Sequence, residues 1–184
     1  GALLLVFSSM SHAFDIKIID QQQNSVANAV IEIIDETDIH ADPNTVAIID
    51  QINKTFAPDQ IIIRQGQSVD FPNSDNIRHH VYSFSEPRTF ELRLYADKPE
   101  KPILFPKPGI VVIGCNIHDS MIGYIYVAQH QHLATTDENG NAQLALSETP
   151  STISVWHPYL STGAETRGYF EVEQLSQNAQ GEYL

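Results

Sequence analysis

Hydrophobic residues along the chain alternate with polar residues or form short apolar runs. Such segments are DIKII, AVIEII, QIIIR, HVYSF, FELRLY, IVVIG, GYIYV, AQLAL and TISVW. They are rich in Ile and Val and are separated by Pro, Gly, Asn and Asp, which is typical of short β-strands joined by turns. Helical periodicity is almost absent. The pattern therefore predicts an all-β protein, built as a sandwich or barrel.

The strongest turn signal in the chain is ENGN, at residues 138–141. Asn-Gly tolerates the positive φ angles of the tightest two-residue turns. We therefore expect a β-hairpin at Asn139-Gly140.

Charge divides the chain into three parts. The formal net charge is −13, of which residues 48–128 carry −1 and residues 14–47 and 129–184 carry −6 each. Phosphates would be repelled by such a surface, so nucleic acid is excluded as a partner. Acidic flanks could instead steer a basic partner protein towards the molecule.

The difference in net charge between the middle of the chain and its flanks also predicts a domain organisation. We expect residues 42–130 to form one compact domain and residues 14–41 and 131–184 to form the two halves of a second, small β-sandwich. Neither flank can cover a hydrophobic face alone, because isolated hairpins are only marginally stable. The middle domain would then be inserted in, or packed on, the flanking sandwich.

The first thirteen residues contain no Lys, Arg, Asp or Glu. An apolar run at residues 3–7 is followed by small residues and by Ser11-His12-Ala13, which fits the small-x-small rule for signal-peptide cleavage. The alternative is a buried N-terminal strand. The run is too short to span a membrane, so no stable membrane insertion is expected. We predict that residues 1–13 are a signal-peptide remnant, cleaved near Ala13, and that the protein is periplasmic.

The segment GCNIHDSMIG, residues 114–123, combines three potential metal ligands. It contains the only cysteine of the chain, Cys115, followed at intervals of three residues by His118 and Met121. A single cysteine in an exported protein cannot form an intrachain disulfide and is therefore reactive, bound to a partner or held by a metal. Thiolate and imidazole bind zinc or copper, and a thioether favours copper. The alternative for Cys115 alone is a small buried hydrophobe.

A fourth ligand must come from another strand. Two His, one Cys and a weak axial Met form the pattern of mononuclear blue-copper sites. The candidates for the second histidine are His79 and His80 in SDNIRHHVYSF. Successive side chains of a β-strand point to opposite faces, so only one of these two can face the metal.

Residues 48–127 resemble the cupredoxin family, which includes plastocyanin, amicyanin and pseudoazurin. The resemblance is carried, in order, by KTFAPDQIIIRQGQSVDFPNSD, RHHVYSF and LFPKPGIVVIGCNIHDSMIGYIYV. These segments are similar to the family's Phe-x-Pro opening, its His-Asn-Val and its Cys-x-x-His-x-x-Met. The resemblance implies a type 1 copper site with four ligands: His79, Cys115, His118 and Met121. His80 replaces the family's Asn, and this change puts the contacts around the ligands in doubt.

The resemblance further implies one Cu(I)/Cu(II) ion per chain and a role in electron transfer rather than catalysis, with no small-molecule substrate. Partners would be redox proteins that bind transiently. His118 would serve as the electron port near the surface, inside an apolar patch for which we select Ile117, Ile77, Phe56 and Pro106.

Two other functions stay open. A copper-binding or trafficking protein would exchange metal with a partner. The extra histidines His40, His130 and His132 favour it, and residues 129–132 could form a loose metal-binding tail, although a polar linker is favoured there. A structural β-module with zinc in the site is the other alternative, but a Met ligand would contribute almost nothing to zinc binding.

The flanks carry a second resemblance. VANAVIEII and ATTDENGNAQLAL are similar to β-sandwich modules related to the carboxypeptidase regulatory domain and transthyretin. A cupredoxin joined to such a module resembles small exported proteins that are labelled methylamine-utilisation-like.

Overall fold

The computed structural model describes residues 12–34, 38–39, 41–42, 44–99, 101–160 and 162–184. Within these ranges the chain forms sixteen β-strands and a single 3-10 turn at Val172–Gln174. The strands are β1 (His12–Lys17), β2 (Val30–Ile34), β3 (Val46–Ile48), β4 (Asp50–Ile52), β5 (Thr55–Ala57), β6 (Gln60–Arg64), β7 (Ser68–Asp70), β8 (His79–Ser83), β9 (Phe90–Tyr95), β10 (Ile103–Leu104), β11 (Gly109–Cys115), β12 (His118–Ala128), β13 (Leu133–Thr135), β14 (Asn141–Leu146), β15 (Thr152–Trp156) and β16 (Gly168–Glu171). The all-β prediction is confirmed.

The chain divides into two compact units. One contains Gly1–Glu36, His132–His157 and Arg167–Leu184, and the larger one contains Thr37–Gln131 and Pro158–Thr166. Residues 158–166 belong to the larger unit, whereas the sequence predicted them to lie in the flanking sandwich. Their place follows from a polar contact inside the larger unit, where the Ser85 hydroxyl donates a hydrogen bond to the Glu165 carboxylate.

The larger unit contains a five-stranded sheet in the order β6-β12-β11-β8-β9. β6 runs parallel to β12, and the other neighbours are antiparallel. A three-stranded sheet, β10-β7-β3, and the β4-β5 hairpin complete the unit, and none of these sheets closes into a barrel within the described strands. Alternate side chains of the strands point inward, as the period of two predicts. They form one core: Ile49, Phe56, Ile63, Val69, Phe71, Val81, Phe105, Val111, Ile113, Cys115, Met121, Ile125 and Val127.

The other unit contains the β1-β14 pair and a four-stranded sheet, β13-β2-β15-β16. Its core combines inward residues of both sheets: Phe14, Ile16, Ala29, Ile31, Ile33, Ala142, Leu144, Leu146, Ile153, Val155 and Val172. Glu32 of β2 is fully buried and lies 2.9 Å from Arg167 Nη1, so its charge is paired. The resemblance of this unit to carboxypeptidase regulatory modules stays a prediction.

The ENGN turn is present, but it does not form the predicted hairpin. The backbone N–H of Gly140 donates to the carbonyl of Asp137, and the Asp137 carboxylate accepts hydrogen bonds from the backbone N–H groups of Asn139 and Asn141. The strands on either side separate, since β13 pairs with β2 and β14 pairs with β1. The Asp137 side chain therefore completes a local turn that carries the chain from one sheet to the other.

The predicted signal peptide lies mostly in residues 1–11, outside the described residues, and it stays a prediction. The described chain begins within β1, where Ala13 is paired with Ala145 of β14. No helix in the described ranges has the length and apolar character needed to cross a membrane.

Replacing Gly140 tests this turn. Gly140 has a φ of +78°, and a Cβ there would lie 2.5 Å from the carbonyl oxygen of Ile18, which belongs to the backbone and cannot move aside. We expect Gly140→Ala to lower the free energy of unfolding by about 3 kcal/mol, measured by urea denaturation.

Gly181→Ala is the matched control. Gly181 has a similar φ of +82°, but a Cβ added there would have no atom within 4 Å, so only the backbone strain of about 1 kcal/mol is expected. Equal losses in the two variants would contradict the close approach at Gly140.

Candidate metal centre

The hairpin formed by β11 and β12 positions three of the four predicted ligands, Cys115, His118 and Met121. The ladder is regular from Gly109↔Val127 to Gly114↔Ile122, and its last pair is Cys115↔His118. Residues 119–121 therefore have no partner on β11 and bulge out of the ladder. A bulge bends its strand and redirects its side chains. It brings His118 and Met121 to the same end of β11, next to Cys115.

The neighbouring strand β8 supplies the first histidine. Cys115 is paired with Val81, and side chains along β8 alternate between buried and partly exposed. His79 lies on the same face as Val81 and is fully buried, with 0% of its surface exposed. Its ring therefore points towards the end of β11, where the Cys115 side chain lies.

The three donor atoms of His79, Cys115 and His118 all lie within 4.8 Å of one another. Cys115 Sγ is 3.7 Å from His79 Nδ1 and 3.7 Å from His118 Nδ1. A metal about 2.0–2.1 Å from each nitrogen and about 2.3 Å from sulfur, with bond angles of about 120°, would separate nitrogen and sulfur by about 3.7–3.8 Å. The two observed sulfur–nitrogen distances therefore match those expected in a trigonal metal site.

Met121 belongs to the same buried cluster as Cys115. Its side chain is almost fully buried and contributes a thioether to an otherwise hydrocarbon environment. Two imidazoles, one thiolate and a nearby thioether are the donor set of copper electron-transfer sites, whereas zinc gains little from a thioether. The residues present therefore fit copper. This cluster is the only group of three or more His, Cys, Asp or Glu donors with metal-binding geometry among the described residues.

A carboxylate that sequence analysis missed contacts the buried histidine. Asp75 Oδ2 lies 2.7 Å from His79 Nε2, the ring nitrogen that faces away from Cys115. Burial raises the pKa of Asp75, but hydrogen bonds from the backbone N–H groups of Lys54 and Asn53 and from the His79 ring outweigh it, so that the pKa falls below its ordinary value. The signal available in the sequence was an acidic residue four positions before a candidate ligand.

Asn73 fixes the loop that carries Asp75. Its side-chain amide donates hydrogen bonds to the carbonyl oxygens of Ile77, at 2.8 Å, and Tyr95, at 3.1 Å. Its Oδ1 accepts a hydrogen bond of 3.1 Å from the backbone N–H of Asp75. Tyr95 is itself anchored, since its hydroxyl donates to the carbonyl of Phe71 at 2.8 Å. Burial raises the pKa of the Tyr95 phenol, so it stays a neutral donor in this frame.

Solved structures of copper proteins are similar to this one over about half of the chain. The copper-containing nitrite reductase of Thermus scotoductus SA-01 matches 54% of this chain at 23% identity, with a TM-score of 0.44, and only 26% of its own length is covered. A purple cupredoxin from Nitrosopumilus maritimus matches 45% of this chain and 99% of its own, at 18% identity and a TM-score of 0.40. Amicyanin from Paracoccus versutus matches 53% of this chain and 97% of its own, at 17% identity and a TM-score of 0.39. Comparison of the sequence with protein-family profiles and with curated proteins gives no match.

Residues 48–127, which carry the sequence resemblance to cupredoxins, lie within the larger unit.

His80 in the larger unit faces away from the cluster. Its Nε2 lies 3.1 Å from Glu91 Oε1 on β9, and its ring lies 5.8 Å from that of Tyr82. His79 and His80 thus occupy opposite faces of β8. Asn73 and Asp75, rather than His80, make the hydrogen bonds next to His79.

The surface of the larger unit agrees only in part with the predicted apolar patch. His118 is partly exposed, and Ile117, next to it in the turn, has 48% of its surface exposed. Ile77 is 37% exposed and Pro106 is also exposed. The selection of Phe56 is wrong, because only 3% of its surface is exposed and it packs in the core.

His130 and His132 do not form a loose tail. His130 is largely buried, and its Nδ1 lies 3.7 Å from Asp38 Oδ1. His40 lies outside the described residues. His132 begins the strand-bearing segment of the other unit, where its carbonyl accepts a hydrogen bond from Ile33.

The two adjacent histidines provide a direct test of the ligand assignment. We expect His79→Ala to weaken binding of copper at least 100-fold, because one of three strong donors is lost, while His80→Ala leaves affinity within about threefold. Competition titration against a copper chelator measures both. The opposite order would show that His80 turns inward when metal binds.

Proposed function

We propose that the larger unit binds one copper ion through His79, Cys115 and His118, with Met121 as a weak fourth ligand, and transfers single electrons as cupredoxins do. The observation that carries this proposal is the triangle formed by Cys115 Sγ and the two Nδ1 atoms, with 3.7 Å from sulfur to each nitrogen. Bound there, copper would supply a one-electron Cu(I)/Cu(II) couple.

The protein's own part is to keep the donor atoms fixed in both oxidation states. His79 is clamped by Asp75, His118 and Cys115 face each other at the end of a strand ladder, and Met121 is packed in the core. Side chains that are close-packed cannot rearrange at low cost. A site of this kind favours electron transfer, because little reorganisation accompanies a change of charge.

Burial supports a carrier rather than an enzyme. His79, Cys115 and Met121 are all at most 3% exposed, so core side chains surround the sulfur and keep water out. Only His118 of the four reaches the surface in part. This arrangement leaves one ring edge for exchange with a partner and little access for a substrate.

We propose a transient redox protein as the partner, docked over His118. The exposed side chains of Ile117 and Ile77 supply apolar area for a small interface of the weak electron-transfer class. The net charge of −13 would speed the approach of a basic partner. Export to the periplasm, proposed from the predicted signal peptide, fits a role among such carriers.

The test is voltammetry of the full chain loaded with one equivalent of copper. We expect a reversible one-electron wave and an intense visible band from sulfur-to-copper charge transfer, and we expect Cys115→Ser to lose the band. A pale protein that holds only Cu(I) and releases copper on oxidation would instead identify a trafficking function. A protein that takes up zinc in preference to copper would contradict both.

Met121 gives a further prediction about potential. A harder amide oxygen stabilises Cu(II) relative to Cu(I), so Met121→Gln should lower the reduction potential and keep the visible band. Met121→Leu is the matched control, in which loss of the weak ligand should raise the potential. Should both substitutions leave the potential unchanged, Met121 would be a core residue and not a ligand.

A further inference from the structure

We propose that Asp75 is a positioning residue for His79: it fixes the proton of the ring on Nε2 and, through its charge, lowers the reduction potential of the site. The first part concerns the metal-free protein. The second part rests on the proposed function.

The contact determines which nitrogen carries the proton. Asp75 Oδ2 and His79 Nε2 are 2.7 Å apart, and the ring is completely buried. An ionised carboxylate can only accept a hydrogen bond, so Nε2 must donate. In the neutral ring Nδ1 is then unprotonated, and its lone pair faces Cys115 Sγ at 3.7 Å. The ring therefore presents an Nδ1 lone pair for a metal even in the metal-free protein.

The carboxylate is held by the backbone rather than by a mobile side chain. The N–H groups of Asn53 and Lys54 donate to Asp75 Oδ1 and Oδ2, at 2.6 and 2.9 Å. Asn53 and Lys54 form the tip of the β4-β5 hairpin and have φ angles of 54° and 59°. Positive φ at both central residues is the mark of a type I′ turn, whose geometry is tightly defined. The hairpin thus presents two N–H donors that fix the Asp75 carboxylate, and the fixed carboxylate in turn orients the His79 ring.

The charge of Asp75 acts on the metal through the ring. A carboxylate that accepts from Nε2 makes the imidazole a stronger donor at Nδ1. The extra negative charge stabilises the more positive oxidation state more, so Cu(II) gains relative to Cu(I). Removing partners of this kind changes metal affinity by about 10–100-fold.

Asp75 also joins the β4-β5 hairpin to the loop that contains Asn73. Replacing Asp75 therefore loosens this loop as well as removing a charge, and the two effects must be separated. Asp50 offers the control. Its Oδ2 accepts a hydrogen bond of 2.7 Å from the Ser74 hydroxyl and its Oδ1 accepts one of 3.1 Å from the Ser74 backbone N–H. Asp50 therefore joins β4 to the same loop, one residue away from Asp75, without touching the His79 ring.

The first measurement is the nitrogen NMR of the His79 ring in the metal-free full chain at mildly alkaline pH. We expect a proton on Nε2 alone in the wild type and in Asp50→Asn, and a mixture of tautomers in Asp75→Ala. A wild-type ring protonated on Nδ1 would overturn the proposal without any variant. So would an Asp75→Ala ring that keeps the wild-type pattern.

The second measurement is the reduction potential of the copper-loaded proteins. Asp75→Asn removes the charge and keeps an acceptor oxygen, so the preference for Cu(II) should fall about 10–100-fold, which raises the potential by about 60–120 mV. Asp50→Asn should change that preference less than about threefold, or about 30 mV. Equal shifts in the two variants would refute the role of the Asp75 charge. A wild-type protein that takes up no copper refutes the proposed function, and the ring signals alone then decide whether Asp75 positions His79.

Discussion

The pairing of Cys115 with His118 at the end of the β11-β12 ladder is the constraint on which the site depends. Backbone hydrogen bonds along the ladder fix both residues, so strand geometry brings their two side chains close to each other. Residues 119–121 leave the ladder as a bulge, which is what allows Met121 to enter the core beside Cys115. The sheet is thus the scaffold, and one local irregularity in it makes the site.

His79, on β8, is the third donor, and its ring is held at Nε2, the nitrogen that faces away from Cys115. Its ring touches Asp75, Asp75 is held by backbone N–H groups of the β4-β5 hairpin, and Asn73 holds the loop between them. The bonds of Asp75 to His79 and to Asn73 involve partly buried groups, and such groups are costly to leave unpaired. The β4-β5 hairpin therefore helps to fix the His79 ring, which lies on a different sheet. The proposed electron transfer would benefit, since the donors would not need to move.

Much of this was predictable from the sequence, and the exceptions have physical causes. Alternation identified the strands, the spacing of Cys115, His118 and Met121 identified the cluster, and strand parity allowed only one of the adjacent histidines to face it. The contact between Asp75 and His79 was not predictable, because it depends on where a distant hairpin points its N–H groups. The burial of Phe56 and the separation of the strands around ENGN depend likewise on tertiary packing, which local patterns do not encode.

The fold brings one sulfur and two nitrogens together in a triangle, which we propose serves both oxidation states of copper. X-ray absorption at the copper edge of the copper-loaded protein tests this proposal. We expect one short sulfur and two nitrogen neighbours for Cu(I) and for Cu(II), with nearly unchanged distances. A copper ion without a sulfur neighbour, or one that loses a nitrogen on reduction, would contradict it.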